Sequence, residues 1–290
     1  MSREVSISAM TMPAGSTVRN RPPESNGRVA GMGEFVRLEV HDGVGLVRLD
    51  RPPANAIDHQ MGLELQEVFR DAASRDDVGA VVIWGGPKIF AAGADIKAMV
   101  GFGPEEVRPV VAALGDALDM LEAMPKISIA AINGYALGGG FELALAADLR
   151  YLADDGKVGQ PEIGIGVIPG AGGTQRLTYM VGPGRARDLV YTGRQVAAGE
   201  ASDLGLVERV LPPDELLNAA TGDARAFARG PREALAAAKL AIRAALLTPG
   251  PEGLAREVAL FRDLFGTPDQ REGMRAFLDK REPRFGGTTS

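Results

Sequence analysis

The stretch INGYALGGGFELA at 132–144 decides the fold, together with FAAGADIK at 90–97. Each glycine-rich stretch follows an apolar run typical of a buried strand, Ile127–Ile132 or Ala80–Trp84, and leads into residues with helical spacing. Glycine at the junction of a strand and a helix permits a tight turn and a close approach of the backbone to a ligand. The pattern therefore predicts parallel βαβ units, which bind ligands where their strands end.

Two such loops side by side offer a specific chemical use. The first N–H groups of a helix have no partner within it, and the helix dipole favours negative charge at the same end. One N–H from each loop would form an oxyanion hole, which stabilises charge that develops on a carbonyl oxygen. The alternative is that the glycines only make tight turns and close helix packing, and neither loop alone decides between the two. Neither stretch matches a phosphate-binding Walker loop or a dinucleotide fingerprint.

Outward from these loops, strand and helix patterns alternate and then give way to helices alone. Apolar alternation around the turn signal Asp42-Gly43 predicts a hairpin. The remaining predicted elements are helices at 60–73 and 104–124, a strand at 149–152, and helices from residue 214 that are interrupted at 230–231 and 249–251.

Composition divides the chain into three parts. Residues 1–33 are rich in Ser, Pro, Gly, Asn and Arg without apolar periodicity, which predicts a disordered extension, and Met32 is an alternative start. Residues 34–211 form the predicted α/β core, and residues 212–290 form a helical C-terminal region. No stretch has the character of a secretory signal or a membrane helix, so we expect a cytoplasmic protein without a membrane partner.

Charge and residue counts exclude several kinds of chemistry. The 290 residues include no cysteine, which rules out disulfides, thiolate metal sites and cysteine nucleophiles. The only histidines, His41 and His59, lie at turn-like positions, so acid–base work is expected to fall to carboxylates. A net charge of -6 argues against nucleic acid as a partner.

Two glutamates lie in settings that suit acid–base catalysis. Glu142 falls in the first turn of the helix that the glycines 138–140 open, and Glu162 precedes an apolar, glycine-rich run. Taken singly, each glutamate is more often structural than catalytic: Glu142 complements the helix dipole as a first-turn acid, and Glu162 would either be exposed or have a raised pKa. Two carboxyl groups that converge on one site would provide an acid and a base able to handle one water molecule.

At this point the sequence resembles the crotonase superfamily and, within it, the enoyl-CoA hydratases. The two glycine-rich stretches carry the resemblance together with GQPEIGIGVIPGAGGTQRL at 159–177, ASDLGLV at 201–207 and REGMRAFLDKR at 271–281. The resemblance implies an α/β fold with a crotonase-like spiral core of repeated ββα units and a C-terminal helical oligomerisation region. It also implies a homo-oligomer, either a trimer or a dimer of trimers.

The resemblance assigns roles to individual residues. It implies that the N–H groups of Ala94 and Gly139 form the oxyanion hole, that Glu142 and Glu162 are catalytic, and that the Gly170 N–H positions the water. Both glutamates together favour hydration over the isomerases of the family, which often keep only the position of Glu162. Positions that match substrate or coenzyme A contacts are Ala92, Asp95, Ile96, Lys97 and Lys280.

The reaction so implied is hydration of trans-2-enoyl-CoA to 3-hydroxyacyl-CoA, of the type used in fatty-acid β-oxidation, with Glu162 as the expected base. No metal and no cofactor are expected, since coenzyme A arrives as part of the substrate. The loop Arg51-Pro52-Pro53-Ala54 departs from the family by lacking a lysine that contacts phosphate. Other acyl-CoA reactions of the same fold, such as isomerisation, and a non-catalytic binding role remain alternatives.

Overall fold

The computed structural model describes residues 28–286, with side-chain surroundings from residue 33 onward. Its first strand, Arg28–Met32, pairs antiparallel with the next strand. That strand lies inside the stretch 1–33 predicted as a disordered extension, so the predicted boundary is wrong at this end. The error arises because a short edge strand is defined by its neighbour's backbone rather than by a pattern of its own. The rest of the predicted extension lies outside the described residues.

The described elements alternate between strands and helices before ending in four helices, as the sequence pattern predicts. The strands are β1 (Arg28–Met32), β2 (Val36–His41), β3 (Val44–Leu49), β4 (Ala80–Trp84), β5 (Ile127–Ile132), β6 (Tyr135–Leu137), β7 (Leu149–Ala153), β8 (Lys157–Gly159), β9 (Gln195–Ala197) and β10 (Arg209–Leu211). The helices are α1 (His59–Ser74), α2 (Ile96–Met99), α3 (Pro104–Ala123), α4 (Gly139–Ala146), α5 (Gly173–Thr192), α6 (Ala198–Asp203), α7 (Leu216–Arg229), α8 (Arg232–Leu247), α9 (Pro251–Asp263) and α10 (Pro268–Asp279).

Two sheets organise the core. The larger has the order β1-β2-β3-β4-β5-β7-β10, and its pairs from β3 to β10 are parallel. The smaller consists of β6, β8 and β9. The predicted hairpin joins β2 to β3, and Asp42 and Gly43 have φ values of 51° and 80°. Positive φ at both turn residues is the geometry that matches the twist of paired strands.

Strand β4 shows how the larger sheet separates two apolar layers. Val81 and Ile83 face the layer that contains α1 and α3, whereas Ala80 and Val82 face the layer that contains α7. This alternation follows from the two-residue period of a strand. Because both faces are covered, β4 is apolar throughout and β5 has one polar residue, Ser128, which is hydrogen-bonded to Asp148.

Helix α7 belongs to this packing although it lies after the predicted division at residue 211. It buries Leu216, Ala220, Ala224 and Ala228, which are spaced four residues apart and form one face of the helix. Gly79 lies so close that a Cβ there would come within 2.7 Å of the Ala228 Cα. The helical region therefore contributes its first helix to the core.

The following helices are less covered. The amino group of Lys239 on α8 donates to the carbonyl oxygens of Leu121 and Lys126 and pairs with Asp148 at 2.8 Å, which fixes α8 to the core. Large apolar side chains on α9 and α10 are exposed, among them Phe261 and Phe277. Within residues 28–286, no helix combines the length and apolar character needed to span a bilayer.

Candidate active site

The two glycine-rich loops meet at one point of the fold. Residue 91 bridges residue 136 in parallel fashion, which sets the two loops side by side. Gly93 and Gly138 have φ values of 104° and 50°, which side chains rarely permit. A Cβ built on Gly139 would lie 3.8 Å from the backbone nitrogen of Ala94. The sequence-predicted pair of donors, Ala94 and Gly139, is thus brought together.

Both N–H groups are available to a ligand. Gly139 is the first residue of α4, and its N–H therefore has no acceptor inside the helix. Among the backbone hydrogen bonds of residues 28–286 outside regular helices and strands, neither Ala94 nor Gly139 is a donor. Two free N–H groups next to each other, one of them at a helix N-terminus, have the arrangement that stabilises a developing oxyanion.

Glu142 is held beside this pair. Its side chain is buried, and its Oε1 accepts hydrogen bonds from the N–H groups of Ala171 at 2.8 Å and Gly173 at 2.7 Å. Its Oε2 lies 3.9 Å from the Cβ position of Gly139 and accepts no hydrogen bond from the described residues. Burial raises the pKa of Glu142, although the two N–H donors and the charge of Arg176 act in the opposite direction.

Glu162 approaches the same point from the other side. It begins the 3-10 helix Glu162–Ile165, and its Oε1 lies 3.0 Å from the Cβ position of Gly138. Burial, together with the neighbouring charge of Glu142, raises the pKa of Glu162 to about 7. Near neutral pH, Glu162 therefore exchanges a proton readily.

Gln160 supports Glu162 and was not among the predicted site residues. Its side chain is fully buried, and with its amide nitrogen turned toward Glu162 it donates to the two carboxylate oxygens at 3.1 and 2.9 Å. With the amide oxygen turned toward Glu162 instead, it accepts the proton of the neutral acid. The sequence offered only a polar residue two positions before Glu162, because the contact between the two side chains forms only in the folded chain.

The donors that hold Glu142 were also missed. Ala171 and Gly173 lie 29 and 31 residues beyond Glu142, so no local pattern links them. A Cβ on Gly173 would come within 2.9 Å of Glu142 Oε1 and 2.6 Å of the Gln160 amide. The glycine run was the signal for this close approach. Gly170, predicted to position water, is exposed and lies against Val111, and its role stays a prediction.

The predicted coenzyme A contacts are distributed unevenly. Ala92, Ile96 and Lys97 are exposed near the loop that carries Ala94. Asp95 has a structural role, since it caps α2 through the Ala98 N–H and pairs with Arg51 at 2.8 Å. Arg51 holds the pKa of Asp95 below its usual range.

Lys280 is the predicted contact that comes from the C-terminal helices. It follows α10 in a left-handed conformation, with φ of 54°. Among the described elements, α10 makes no extensive contact with another helix or strand. A role for Lys280 beside coenzyme A stays a prediction.

Comparison with known proteins agrees with this arrangement. The model of the enoyl-CoA hydratase/isomerase family matches residues 39–288. The chain belongs to the enoyl-CoA hydratase/isomerase family. A Mycobacterium leprae relative described as a probable enoyl-CoA hydratase is 43% identical over 253 residues, which cover 87% of this chain and 98% of the relative. A Rhizobium meliloti relative with the same description is 44% identical, with the same coverage of both chains.

Solved structures of enoyl-CoA hydratases share the fold of this family member. A Geobacillus kaustophilus structure is 40% identical with a TM-score of 0.83, and the match covers 88% of this chain and all of that one. A Bacillus anthracis enoyl-CoA hydratase is 37% identical with a TM-score of 0.81, covering 91% of this chain and 100% of that one. These matches confirm the predicted fold class, a crotonase-like α/β core with C-terminal helices.

Proposed function

We propose that this enoyl-CoA hydratase/isomerase family member hydrates trans-2-enoyl-CoA thioesters to 3-hydroxyacyl-CoA. The observation that carries the proposal is the convergence of two carboxyl groups, from Glu142 and Glu162, on the glycines beside two free N–H groups. Hydration needs one group to accept a proton from water, one to donate a proton to carbon, and donors for the thioester oxygen.

The two N–H groups would bind the thioester carbonyl. As the hydroxyl of water attacks the β-carbon, negative charge develops on that oxygen. The N–H groups of Ala94 and Gly139 then bind the transition state more strongly than the substrate, which lowers the barrier. Removal of one such donor typically costs about 3 kcal/mol of transition-state stabilisation.

The surroundings of the two glutamates favour a division of labour. Glu142 accepts two N–H hydrogen bonds, which favour its ionised form, so it is suited to take the proton of water. Glu162, with a pKa of about 7, is protonated in a large fraction of molecules at neutral pH and is suited to give a proton to the α-carbon. This assignment reverses the expectation that Glu162 is the base.

The remaining parts of the proposal concern partners. Coenzyme A enters as part of the substrate, and the proposed steps use only carboxyl and N–H groups, without a metal or further cofactor. We propose a homo-oligomer, a trimer or a dimer of trimers, with the exposed apolar faces of α9 and α10 at subunit contacts.

Crotonyl-CoA tests the proposed reaction through loss of the conjugated-enoyl absorbance. We expect turnover by the wild type, and rates lower by about 100-fold or more in Glu142→Gln and Glu162→Gln, because each variant lacks one proton-transfer group. Glu67→Gln, on the exposed side of α1, serves as the control. No turnover across a series of acyl-chain lengths would exclude hydration, and turnover of a 3-enoyl-CoA instead would identify an isomerase.

Proton exchange in D₂O separates the two roles. A saturated acyl-CoA, butyryl-CoA, has an α-proton but no double bond to hydrate. We expect Glu142→Gln to retain exchange of this proton and Glu162→Gln to lose it, as followed by proton NMR. Loss of exchange in Glu142→Gln and its retention in Glu162→Gln would identify Glu162 as the base that accepts the proton of water.

A further inference from the structure

Arg176 connects the loop that holds Glu142 to helix α3. Its Nη1 donates to the carbonyl oxygen of Ala171 at 2.6 Å, and Ala171 is one of the two residues whose N–H groups bind Glu142. Its Nε donates to Glu122 at 2.6 Å and its Nη2 to Asp119 at 3.1 Å. The guanidinium group thus has one partner in the site loop and two on the helix.

The Arg176 side chain is largely buried and packs closely against the site loop. Its side chain is only 12% exposed although it carries a full charge. Gly172 has a φ of 99°, and a Cβ there would come within 2.3 Å of Arg176 Nη1. The loop therefore needs glycine at this position both for its backbone conformation and to admit the guanidinium group.

Helix α3 is a suitable anchor because it also contacts the rest of the site. The Cβ position of Gly139 lies 3.2 Å from Leu114, and that of Gly170 lies 3.4 Å from Val111. Both contact residues belong to α3. Arg176 therefore fixes the Glu142 loop to the same helix against which the oxyanion-hole glycine packs.

We propose that Arg176 is a positioning residue for Glu142: it holds the Ala171 peptide in place and sets a positive charge near the carboxylate. The planar guanidinium group can donate hydrogen bonds to the carbonyl oxygen and to both carboxylates at once. A lysine ammonium group lacks this planar arrangement of donors. This inference rests on the proposed function for its kinetic consequences, but its electrostatic consequence concerns Glu142 alone.

The charge of Arg176 acts on the pKa of Glu142 in a defined direction. It favours the ionised form of Glu142 and so lowers the pKa of that carboxyl group. The other charged groups nearby are Glu162 on the 3-10 helix, Asp119 and Glu122 on α3, and Arg243 on α8, whose Nη2 lies 4.0 Å from Glu122. Removing the Arg176 charge leaves these carboxylates in place, so the pKa of Glu142 is expected to rise.

The test compares Arg176→Met and Arg176→Lys with the wild type. For Arg176→Met we expect kcat with crotonyl-CoA to fall about tenfold or more while KM stays within about twofold, and the acidic limb of kcat/KM to move about one pH unit higher. Arg176→Lys should keep the acidic limb near its wild-type position, because the positive charge is retained. It should still lower kcat, because the hydrogen bond to the Ala171 carbonyl oxygen is lost.

Two controls keep the inference separate from folding and from the proposed function. Arg75→Met removes another arginine that pairs with two aspartates, Asp71 and Asp77, far along the chain from the site, and should leave the profile unchanged. Infrared difference spectroscopy against Glu142→Gln follows the titration of Glu142 without turnover. The inference is overturned if Glu142 titrates alike in Arg176→Met and the wild type, or if Arg176→Lys retains the full kcat.

Discussion

The two glutamates share one proton over the working pH range. Below the pKa of Glu142 both are neutral and neither can accept a proton, whereas above the pKa of Glu162, about 7, neither can donate one. In the proposed mechanism the singly protonated pair is therefore the active form, whichever oxygen carries the proton. Hydration and dehydration would then use the two arrangements of that one proton.

The first prediction concerns the pH profile. We expect kcat/KM to fall about tenfold per pH unit above pH 7, as Glu162 loses its proton. The profiles for hydration and dehydration should coincide, because the net reaction consumes no proton and their ratio must equal a constant equilibrium constant. Steady-state assays in both directions, in buffers of constant ionic strength, measure this.

Glu142→Gln supplies the matched control for that profile. Because the charge of Glu142 raises the pKa of Glu162, its removal should shift the alkaline limb of the residual activity to lower pH. A limb that stays in place would show that another group controls it.

A second prediction at this scale concerns Gln160. In Gln160→Met, the Glu162 carboxylate loses the amide donor, and a hydrogen bond to a charged acceptor is stronger than one to a neutral acid. The alkaline limb should therefore move to higher pH, with kcat reduced and KM unchanged. Gln175→Met, at an exposed glutamine of α5, should match the wild type. An unchanged limb in Gln160→Met would contradict a contact with Glu162.

Among the elements, helix α1 and the first antiparallel strands depend on one buried carboxylate. Glu64 on α1 accepts the N–H groups of Glu34, Phe35 and Val36 at 3.1, 2.7 and 2.9 Å. Burial alone would raise its pKa, but these donors and the Gln60 amide outweigh burial and lower it. The carboxylate thus fixes the start of β2 to the helix.

The third prediction follows from this contact. Glu64→Gln replaces one acceptor oxygen by a donor that faces N–H groups, so the free energy of unfolding at pH 7 should fall by about 2 kcal/mol. Since the folded-state pKa is lowered, the contribution is present above the unfolded value of 4.5 and is lost as pH falls through the folded pKa. Denaturant unfolding should show that the difference in the free energy of unfolding between the wild type and Glu64→Gln is smaller at acidic pH than at neutral pH. Glu67→Gln on the same helix should have the same free energy of unfolding as the wild type.

The elements also show what sequence patterns can and cannot predict. Strands β4 and β5 and helices α1 and α3 were predicted almost to the residue, because each carries its own apolar period. The three-residue strands β6, β8 and β9 were not, because pairing with neighbours defines them. The candidate site divides in the same way. Glycine-rich motifs indicated one N–H group from each loop, which the resemblance assigned to Ala94 and Gly139, whereas the contacts of Gln160 and Arg176 form only in the folded chain.

At the scale of the whole molecule, the C-terminal helices leave apolar surface uncovered. Phe261 and Phe277 are 63% and 83% exposed, and other large apolar side chains of α9 and α10 are exposed with them, as is typical of an interaction surface. A groove of about 790 Å³ between α3, α4, α5 and α8 adds to this surface. These features support self-association of the chain.

The fourth prediction is the assembly state. Size-exclusion chromatography with light scattering should give three or six times the protomer mass of 30.4 kDa. Phe277→Asp should reduce this mass, because a charge in an apolar contact loses its hydration without gaining a partner. Val100→Asp, at an equally exposed position outside the tail, should not. A wild type that elutes as a monomer would exclude the proposed assembly.

The proposed oxyanion-hole donors are main-chain groups, and this would determine where point mutations can inactivate the protein. A change at Ala94 to any residue except proline alters a side chain but leaves the N–H in place. Gly139 has little room, since a Cβ there would meet the end of Leu114 at 3.2 Å and lie 3.8 Å from the Ala94 nitrogen and 3.9 Å from Glu142 Oε2. Gly140 has none, since a Cβ there would come within 2.3 Å of the Ala91 carbonyl oxygen. The two glycines would thus accept few substitutions, whereas the side chain at position 94 could change during evolution without loss of the proposed donor.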